Sequence, residues 1–288
     1  TTLNVTGVST HVGFSTFNDF VFVQDGLNVT GTGITATTSN VTGVATFVGF
    51  STFNDFVFVQ DGLNVTGTGA TLTTLNVTGV STFVGIVTNQ STIFGTQLSV
   101  AGISTFVGFS TFNDFVFVQD GLNVTGTGIT ATTLNVTGVS THVGFSTFND
   151  FVFVQDGLNV TGTGATLTTL NVTGVSTHVG FSTFNDFVFV QDGLNVTGTG
   201  VTATTLNVTG VSTHVGFSTF NDFVFIQDGL NVTGTGATLT TLNVTGVSTF
   251  TGITTSSTTF FANQLSVAGI STFVGFSTFN DFVFVQDG

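Results

Sequence analysis

The sequence predicts an all-β fold, a β-helix or β-solenoid built from tandem units of twelve residues. Three observations favour this fold: a phrase that recurs at regular spacings, an alternation of apolar and polar residues within it, and glycine or aspartate at fixed columns. The composition agrees, because the 288 residues include 38 glycines and 36 phenylalanines but no proline and no cysteine. Their absence excludes collagen and a disulfide framework.

The recurring phrase is "FSTFNDFVF", which occurs seven times. Its asparagine is found at Asn18, Asn54, Asn113, Asn149, Asn185, Asn221 and Asn280, so the successive spacings are 36, 59, 36, 36, 36 and 59. Each 36-residue super-repeat divides into "LNVTGVSTHVGF", "STFNDFVFVQDG" and "LNVTGTGITATT", whose first five columns agree in residue type. Because self-similarity at a fixed period indicates a repeat architecture, we predict a structural unit of about twelve residues.

The two longer spacings fit the same unit. Each contains twenty-three additional residues, which divide into an eleven-residue variant unit, at 87–97 or 254–264, and one further twelve-residue unit. Twenty-two units of twelve, two of eleven and the leading Thr1 and Thr2 account for all 288 residues. We therefore predict one continuous array over residues 1–288, containing 24 units. Because both termini lie within a repeat, we expect the chain to be a fragment of a longer one.

Residue type predicts strands in every unit. "LNVT" alternates apolar and polar residues, the period-2 pattern of a strand with one buried face. Val, Thr, Phe and Ile dominate and suit a pleated sheet. Glycine or aspartate recurs at the fifth and often the eleventh column, where we expect corners with residues that tolerate a positive φ. The prediction is two short strands per unit, almost no helix, and phenylalanines such as Phe20 buried in a shared core.

The repeat alone leaves two ways of winding the chain. Three chains can intertwine around a shared core, or one chain can form wide coils of two or three units. A single chain that closes a coil every twelve residues would enclose too little space for phenylalanine without disulfides. We therefore predict an intertwined homotrimer, with a wide single-chain β-solenoid as the alternative. Such repeats are stable only as stacks.

Charge excludes several partners. The formal net charge is −14, all from aspartate, with no lysine or arginine. Neutralising nucleic-acid phosphates requires those cations, so we expect no nucleic-acid partner. No apolar run is as long as a membrane helix requires, which is about 18 residues or more, so we expect no membrane insertion.

The 14 aspartates are the first candidate site. Asp19 and Asp25 lie six residues apart, and the pair recurs as far as Asp281 and Asp287. Stacked carboxylates are suitable ligands for Ca²⁺, but the spacing matches neither an EF-hand nor a calcium-binding β-roll nonapeptide. We favour aspartates that form corners, keep the surface hydrated and limit edge-to-edge aggregation.

The four histidines are the second candidate site. They occupy the ninth column, which elsewhere contains phenylalanine; the histidines are His11, His142, His178 and His214, and the phenylalanines include Phe47, Phe83 and Phe106. In a trimer, three copies of one histidine are able to bind a transition metal. Interchange with phenylalanine favours a packing role instead. Because no Ser-His-Asp set is unique, we predict no catalytic, metal or cofactor site and no enzyme activity.

Two further patterns have more than one interpretation. "NVT" occurs thirteen times and "NQS" once, at Asn89, and each matches the N-glycosylation pattern. Strand alternation, with Val inward and Asn and Thr outward, explains "NVT" equally well. Outward Asn and Thr columns also suggest an ice-binding or glycan-binding solenoid, although "FVFVQDG" interrupts them in every third unit.

The phrases "LNVTGVSTFVG", "LSVAGISTFVGF" and "DGLNVTGTG" resemble the repeats of tail-fibre-like structural proteins of marine phages that infect cyanobacteria. The resemblance covers nearly the whole chain. It implies an extracellular virion appendage, usually homotrimeric, that contacts other fibre or virion proteins. It also implies a host-surface receptor, bound through a tip that these residues do not contain. The alternative is a microbial cell-surface filament or adhesin stalk with a possible glycan coat.

Overall fold

The computed structural model describes residues 2–286 and confirms the all-β prediction. Strands account for 87% of the chain, and the described residues contain no helix. The chain divides into two compact units, residues 1–144 and 145–288. Each unit is a parallel β-solenoid, and together they contain about 16 turns.

Most strands span sixteen residues and bend around the coil without interruption. The first nine are β1 Leu3–Val5, β2 Val8–Val23, β3 Gly26–Val41, β4 Val44–Val59, β5 Gly62–Val84, β6 Ile86–Asn89, β7 Ile93–Ala101, β8 Ile103–Val118 and β9 Gly121–Val136. The others are β10 Val139–Val154, β11 Gly157–Val172, β12 Val175–Val190, β13 Gly193–Val208, β14 Val211–Ile226, β15 Gly229–Thr251, β16 Ile253–Ala268, β17 Ser271–Phe273, β18 Phe276–Phe279 and β19 Val283–Val285.

The chain closes one coil every eighteen residues, which differs from the predicted coil of two or three twelve-residue units. Leu3 pairs with Val21, Val21 with Ser39 and Ser39 with Val57, always in parallel register and with the same step. The coil has three sides of six residues, and a twelve-residue unit supplies two of them. Three units therefore complete two coils, which explains the length of the super-repeat.

The interior is filled by two inward-pointing side chains from each six-residue side. Val57 and Val59 come from one side, Leu63 and Val65 from the next, and all four are at most 1% exposed. Polar residues alternate with them and face outward, as strand geometry requires. A coil of eighteen residues from one chain thus encloses enough space for phenylalanine, which a coil of twelve residues would not. Lack of space inside a single-chain coil is therefore no longer a reason to expect a homotrimer. The homotrimer remains a prediction.

A glycine in the segment "GTG" allows a bulge on one side of every second coil. Gly33 has a φ of 123°, in a region that favours glycine. A Cβ at Gly33 would lie 1.8 Å from the carbonyl oxygen of Phe50 in the next coil. Register is preserved because the step from Phe17 to its partner Ala36 is one residue longer than usual, and the step from Ala36 to Phe53 is one residue shorter.

The predicted glycine and aspartate corners exist, but positive φ explains only some of them. No aspartate or other non-glycine residue has a positive φ in the described part of the chain. At Gly43 the requirement is space: a Cβ there would lie 1.4 Å from the carbonyl oxygen of Asp25 in the preceding coil. The same close approach recurs between Gly210 and Asp192, at 1.5 Å.

The expectation that Phe20 is buried was wrong. Phe20 is 36% exposed, while Phe53, from the inward column of the same phrase, is 1% exposed. The phrase "FSTFNDFVF" places one phenylalanine inside and three outside or partly outside, because side chains alternate along a strand.

The eleven-residue variant units advance the sequence pattern by one side of the coil. Leu72 pairs with Asn89 through the short step that follows each bulge, and Asn89 pairs with Phe106 through a second short step, which is specific to the variant unit. The inward phenylalanine of the next phrase, Phe112, therefore stacks on Gly95 rather than in the column that contains Phe53. Gly95 provides the space, since a Cβ there would lie 3.3 Å from the Phe112 ring.

Candidate functional site

Three of the four predicted histidines, His142, His178 and His214, are fully buried, and His11 is half-buried. His178 and His214 are fully buried and occupy one column, separated by Val196 of the intervening coil. Phe47 occupies the same kind of position, between Val29 and Val65. His and Phe interchange at this position because both types of ring pack against valines of the adjacent coils. This agrees with the packing role that the interchange indicated.

Each buried histidine has one polar partner. The Ser176 hydroxyl lies 2.8 Å from Nε2 of His178, and the Ser212 hydroxyl lies 2.7 Å from Nε2 of His214. The His178 ring also meets the Phe184 ring edge-to-face, with centroids 5.3 Å apart. Nδ1 of His178 and of His214 is buried without a hydrogen-bond partner.

Burial strongly disfavours the charged form of these rings. Desolvation lowers the pKa of His178 to about 4. Desolvation and then the neighbouring His178 lower the pKa of His214 to about 3. A protonated ring has two N–H donors, and the core supplies a partner for only one. Both rings are therefore neutral at pH 7.

The aspartates lie at the surface. All thirteen in the described residues are exposed, while Asp287 lies outside them. Each repeat has two aspartates. One, such as Asp25, follows an outward Gln at a corner, and the other, such as Asp19, follows the Asn of "FNDF". Gln97 and Gln264 of the variant units donate to the carboxylates of Asp114 and Asp281, at 2.6 and 2.7 Å. Among residues 2–286, no three His or Asp side chains form a group suited to binding a metal.

The glycosylation patterns divide by burial. Asn89 of "NQS" is fully buried between Leu72 and Phe106, so the folded chain does not present it to an enzyme. The asparagines of "NVT" face outward and are half-buried, apart from the exposed Asn4. Their valines point inward, as the strand alternation predicts.

Threonines link successive coils at two corners. Thr204 donates to the carbonyl oxygen of Asn185 at 2.9 Å, and Thr209 donates to that of Gln191 in the preceding coil. Equivalent bonds recur in other coils, for example from Thr73 to Asn54 and from Thr42 to Gln24. The phrase "FNDF" and the segment "VQDG" thus supply carbonyl acceptors at corners rather than a chemical centre.

Large apolar side chains form rows on the outside. Phe181 and Phe217 are 46% and 47% exposed and stand two coils apart, with Gly200 between them. Elsewhere Val12 pairs with Thr30, and Val48 pairs with Thr66. Threonine therefore forms no uninterrupted ladder at these positions, which the ice-binding interpretation requires.

Within the described residues, no helix has both the length and the hydropathy of a membrane span. Comparisons with protein-family models, curated protein sequences and solved structures give no match. The candidate site is therefore defined by its geometry alone: a repeated core with buried histidines and a repeated surface with exposed phenylalanine and aspartate.

Proposed function

We propose that this chain is the structural shaft of an extracellular fibre, of the kind that holds the host-recognition tip of a phage tail fibre away from the virion. Its solenoid fold fits a fibre-like or stalk-like repetitive protein. The observation that carries the proposal is the constant register: each coil pairs with the next in parallel, and the step stays close to eighteen residues. Length then grows with repeat number, while the core stays the same.

The interactions suit a mechanical role because they are distributed. Each coil contributes its own inward Val, Leu, Ala or Phe side chains, and stability in such stacks is a sum over coils and interfaces. Threonine bonds to Asn and Gln carbonyls add a link at two corners. Damage to one coil therefore leaves the coils on either side of it paired with the coils beyond them.

Self-association is the partner interaction that we propose with this function. Exposed rows such as Phe181 and Phe217 are apolar surface of the kind that marks interaction sites, and burying them favours association of copies, with three the expected number. Because the chain has a net charge of −14 and no cation, repulsion between copies opposes this association. Higher salt should therefore strengthen it. Native mass spectrometry at low and high ammonium acetate tests the number of copies.

The shaft proposal is tested by lengthening the chain. Two additional 36-residue super-repeats should add four coils and about 19 Å of length, at about 4.8 Å per coil, with no change in cross-section. Small-angle scattering measures both quantities. An increased cross-sectional radius at unchanged length contradicts the proposal.

The extracellular and virion part of the proposal is tested separately. Genes for baseplate or tail proteins beside the reading frame support a phage fibre. Genes for cell-surface export beside it support a microbial filament or adhesin stalk instead. Neither outcome changes the shaft assignment, because that rests on the coil geometry.

A further inference from the structure

We propose that β12 and β14, which contain two of the buried histidines, form an acid-labile segment of the solenoid, which opens at mildly acidic pH before the strands with phenylalanine at the equivalent position. The observation that carries this inference is the substitution of His for Phe between the same valine neighbours. His178 lies between Val160 and Val196, and Phe47 lies between Val29 and Val65. The valine neighbours are thus the same, and the differences are the titratable ring and the adjacent inward residue, which is Ser176 beside His178 and Ala45 beside Phe47.

Nothing in the surrounding core compensates a charge on these rings. The strands on either side of His178 are β11 and β13, and those beside His214 are β13 and β15; none of these three contains Asp or His. On the histidine strands themselves, Asp186 and Asp222 are exposed at the surface. The corner residues Asp192 and Asp228 are exposed as well. After desolvation, the second cause that lowers the pKa of His214 is His178, which repels its proton.

Hydrogen bonding adds to this penalty. The neutral ring of His178 uses Nε2 with Ser176, and the partnerless Nδ1 is tolerable when it carries no proton. Protonation turns both nitrogens into donors and leaves one buried donor without an acceptor. A buried, unpaired donor is costly, and a buried, unpaired charge costs more.

The direction of the pH effect follows from linkage. Opening returns the ring to water, where its pKa is near 6.5, so the opened state binds a proton that the closed state excludes. Acidification from 6.5 therefore favours opening, and the effect saturates near pH 4 for His178 and near pH 3 for His214. Between pH 7.5 and 5, each histidine raises the opening equilibrium constant about 30-fold. Aspartates in water titrate near 3.9 and stay ionised over this range.

The test compares wild type with His178→Phe/His214→Phe, a change that installs the column's own alternative residue. Denaturant unfolding is followed by far-ultraviolet circular dichroism at pH 7.5 and pH 5. We expect the wild-type unfolding constant to rise at least about 30-fold on acidification. In the double variant we expect that rise to be at least about 30-fold smaller. The matched control is His11→Phe, the same substitution at a half-buried ring, and it should reduce the rise less than the double variant does.

Hydrogen exchange locates the opening in the wild-type protein and does not depend on the variants. Peptides that contain "STHVG" share one sequence and are pooled, so the pool also includes those around the half-buried His11 and the buried His142. The pool is compared with the "STFTG" peptide around Phe250. After correction for intrinsic rates, protection of the histidine pool should fall between pH 7.5 and 5, while that of the Phe250 peptide is retained. An equal loss in both peptides, or an equal pH dependence in the double variant, overturns the proposal.

Discussion

Two phenylalanines on β12 provide a stringent test of which side chains face the core. Phe184 is 1% exposed and contacts His178, whereas Phe187 is 37% exposed. Phe184→Ala removes a buried ring and leaves a cavity, and such changes cost about 3–5 kcal/mol. Phe187→Ala removes a ring that already contacts water and leaves no enclosed cavity, so we expect a cost of about 1 kcal/mol.

Circular dichroism is the suitable probe, because the chain has no tryptophan or tyrosine for fluorescence. Denaturant midpoints of wild type and the two alanine variants, measured at pH 7.5, give the two changes in the free energy of unfolding. The two substitutions are chemically identical, so each serves as the other's control. Equal costs, or a larger cost for Phe187→Ala, would refute the alternation of inward and outward side chains along β12.

Three further predictions concern single positions. Asn89→Leu should stabilise the fold by about 1–2 kcal/mol, because Nδ2 of Asn89 is buried without a partner, and the Ser91 amide that donates to Oδ1 of Asn89 keeps its bond to the Thr73 carbonyl. Thermal melts test this, with exposed Asn4→Leu as the neutral control. Gly210→Ala should destabilise by about 3 kcal/mol, because its Cβ would lie 1.5 Å from the Asp192 carbonyl oxygen. The control is Gly7→Ala. Gly7 also follows Asn-Val-Thr, but a Cβ at Gly7 would have no atom within 4 Å, so the denaturant midpoint that measures both variants should change little. Thr209→Val should cost about 1 kcal/mol through its lost bond to Gln191, and an unchanged melting temperature would contradict that linking role.

Sequence alone was sufficient to predict strands and their inward residues where alternation is regular. Val29 and Val41 of "NVT" are buried, and the histidine column is a packing column. The number of residues in one coil could not be predicted from the sequence. A repeat of twelve is compatible with any coil made of six-residue sides, and corner geometry rather than residue pattern decides that three sides close the coil.

Other differences have equally local causes. Gly31 and Gly43 share the fifth column, yet Gly31 has a φ of 131° and Gly43 instead needs space above Asp25. Phe20 was misplaced because its apolar character suggested burial, whereas alternation places it on the outward face next to the inward Val21. Asn89 is buried because it shares the inward face of β6 with Val87, although its residue type favours the outward face. The acidic surface and the absence of lysine and arginine, by contrast, are readable directly from composition.

The central structural claim is that one chain pairs with itself at every eighteenth residue. Asn195 pairs with Thr213 in the next coil, and both face outward. Adjacent strands lie about 4.8 Å apart, within disulfide reach. Because the chain has no cysteine, the pair Asn195→Cys/Thr213→Cys introduces the only thiols. The controls are Asn195→Cys/Asn207→Cys, separated by one twelve-residue unit, and Asn195→Cys/Thr219→Cys, separated by two.

Mild oxidation followed by mass spectrometry under denaturing conditions reads out the cross-link and whether it joins one chain or two. The eighteen-residue coil predicts rapid cross-linking within one chain for Asn195 with Thr213 and none for the two control pairs. A cross-link in either control pair, or covalent dimers from the Asn195 and Thr213 pair, would contradict the self-paired coil and favour intertwined chains.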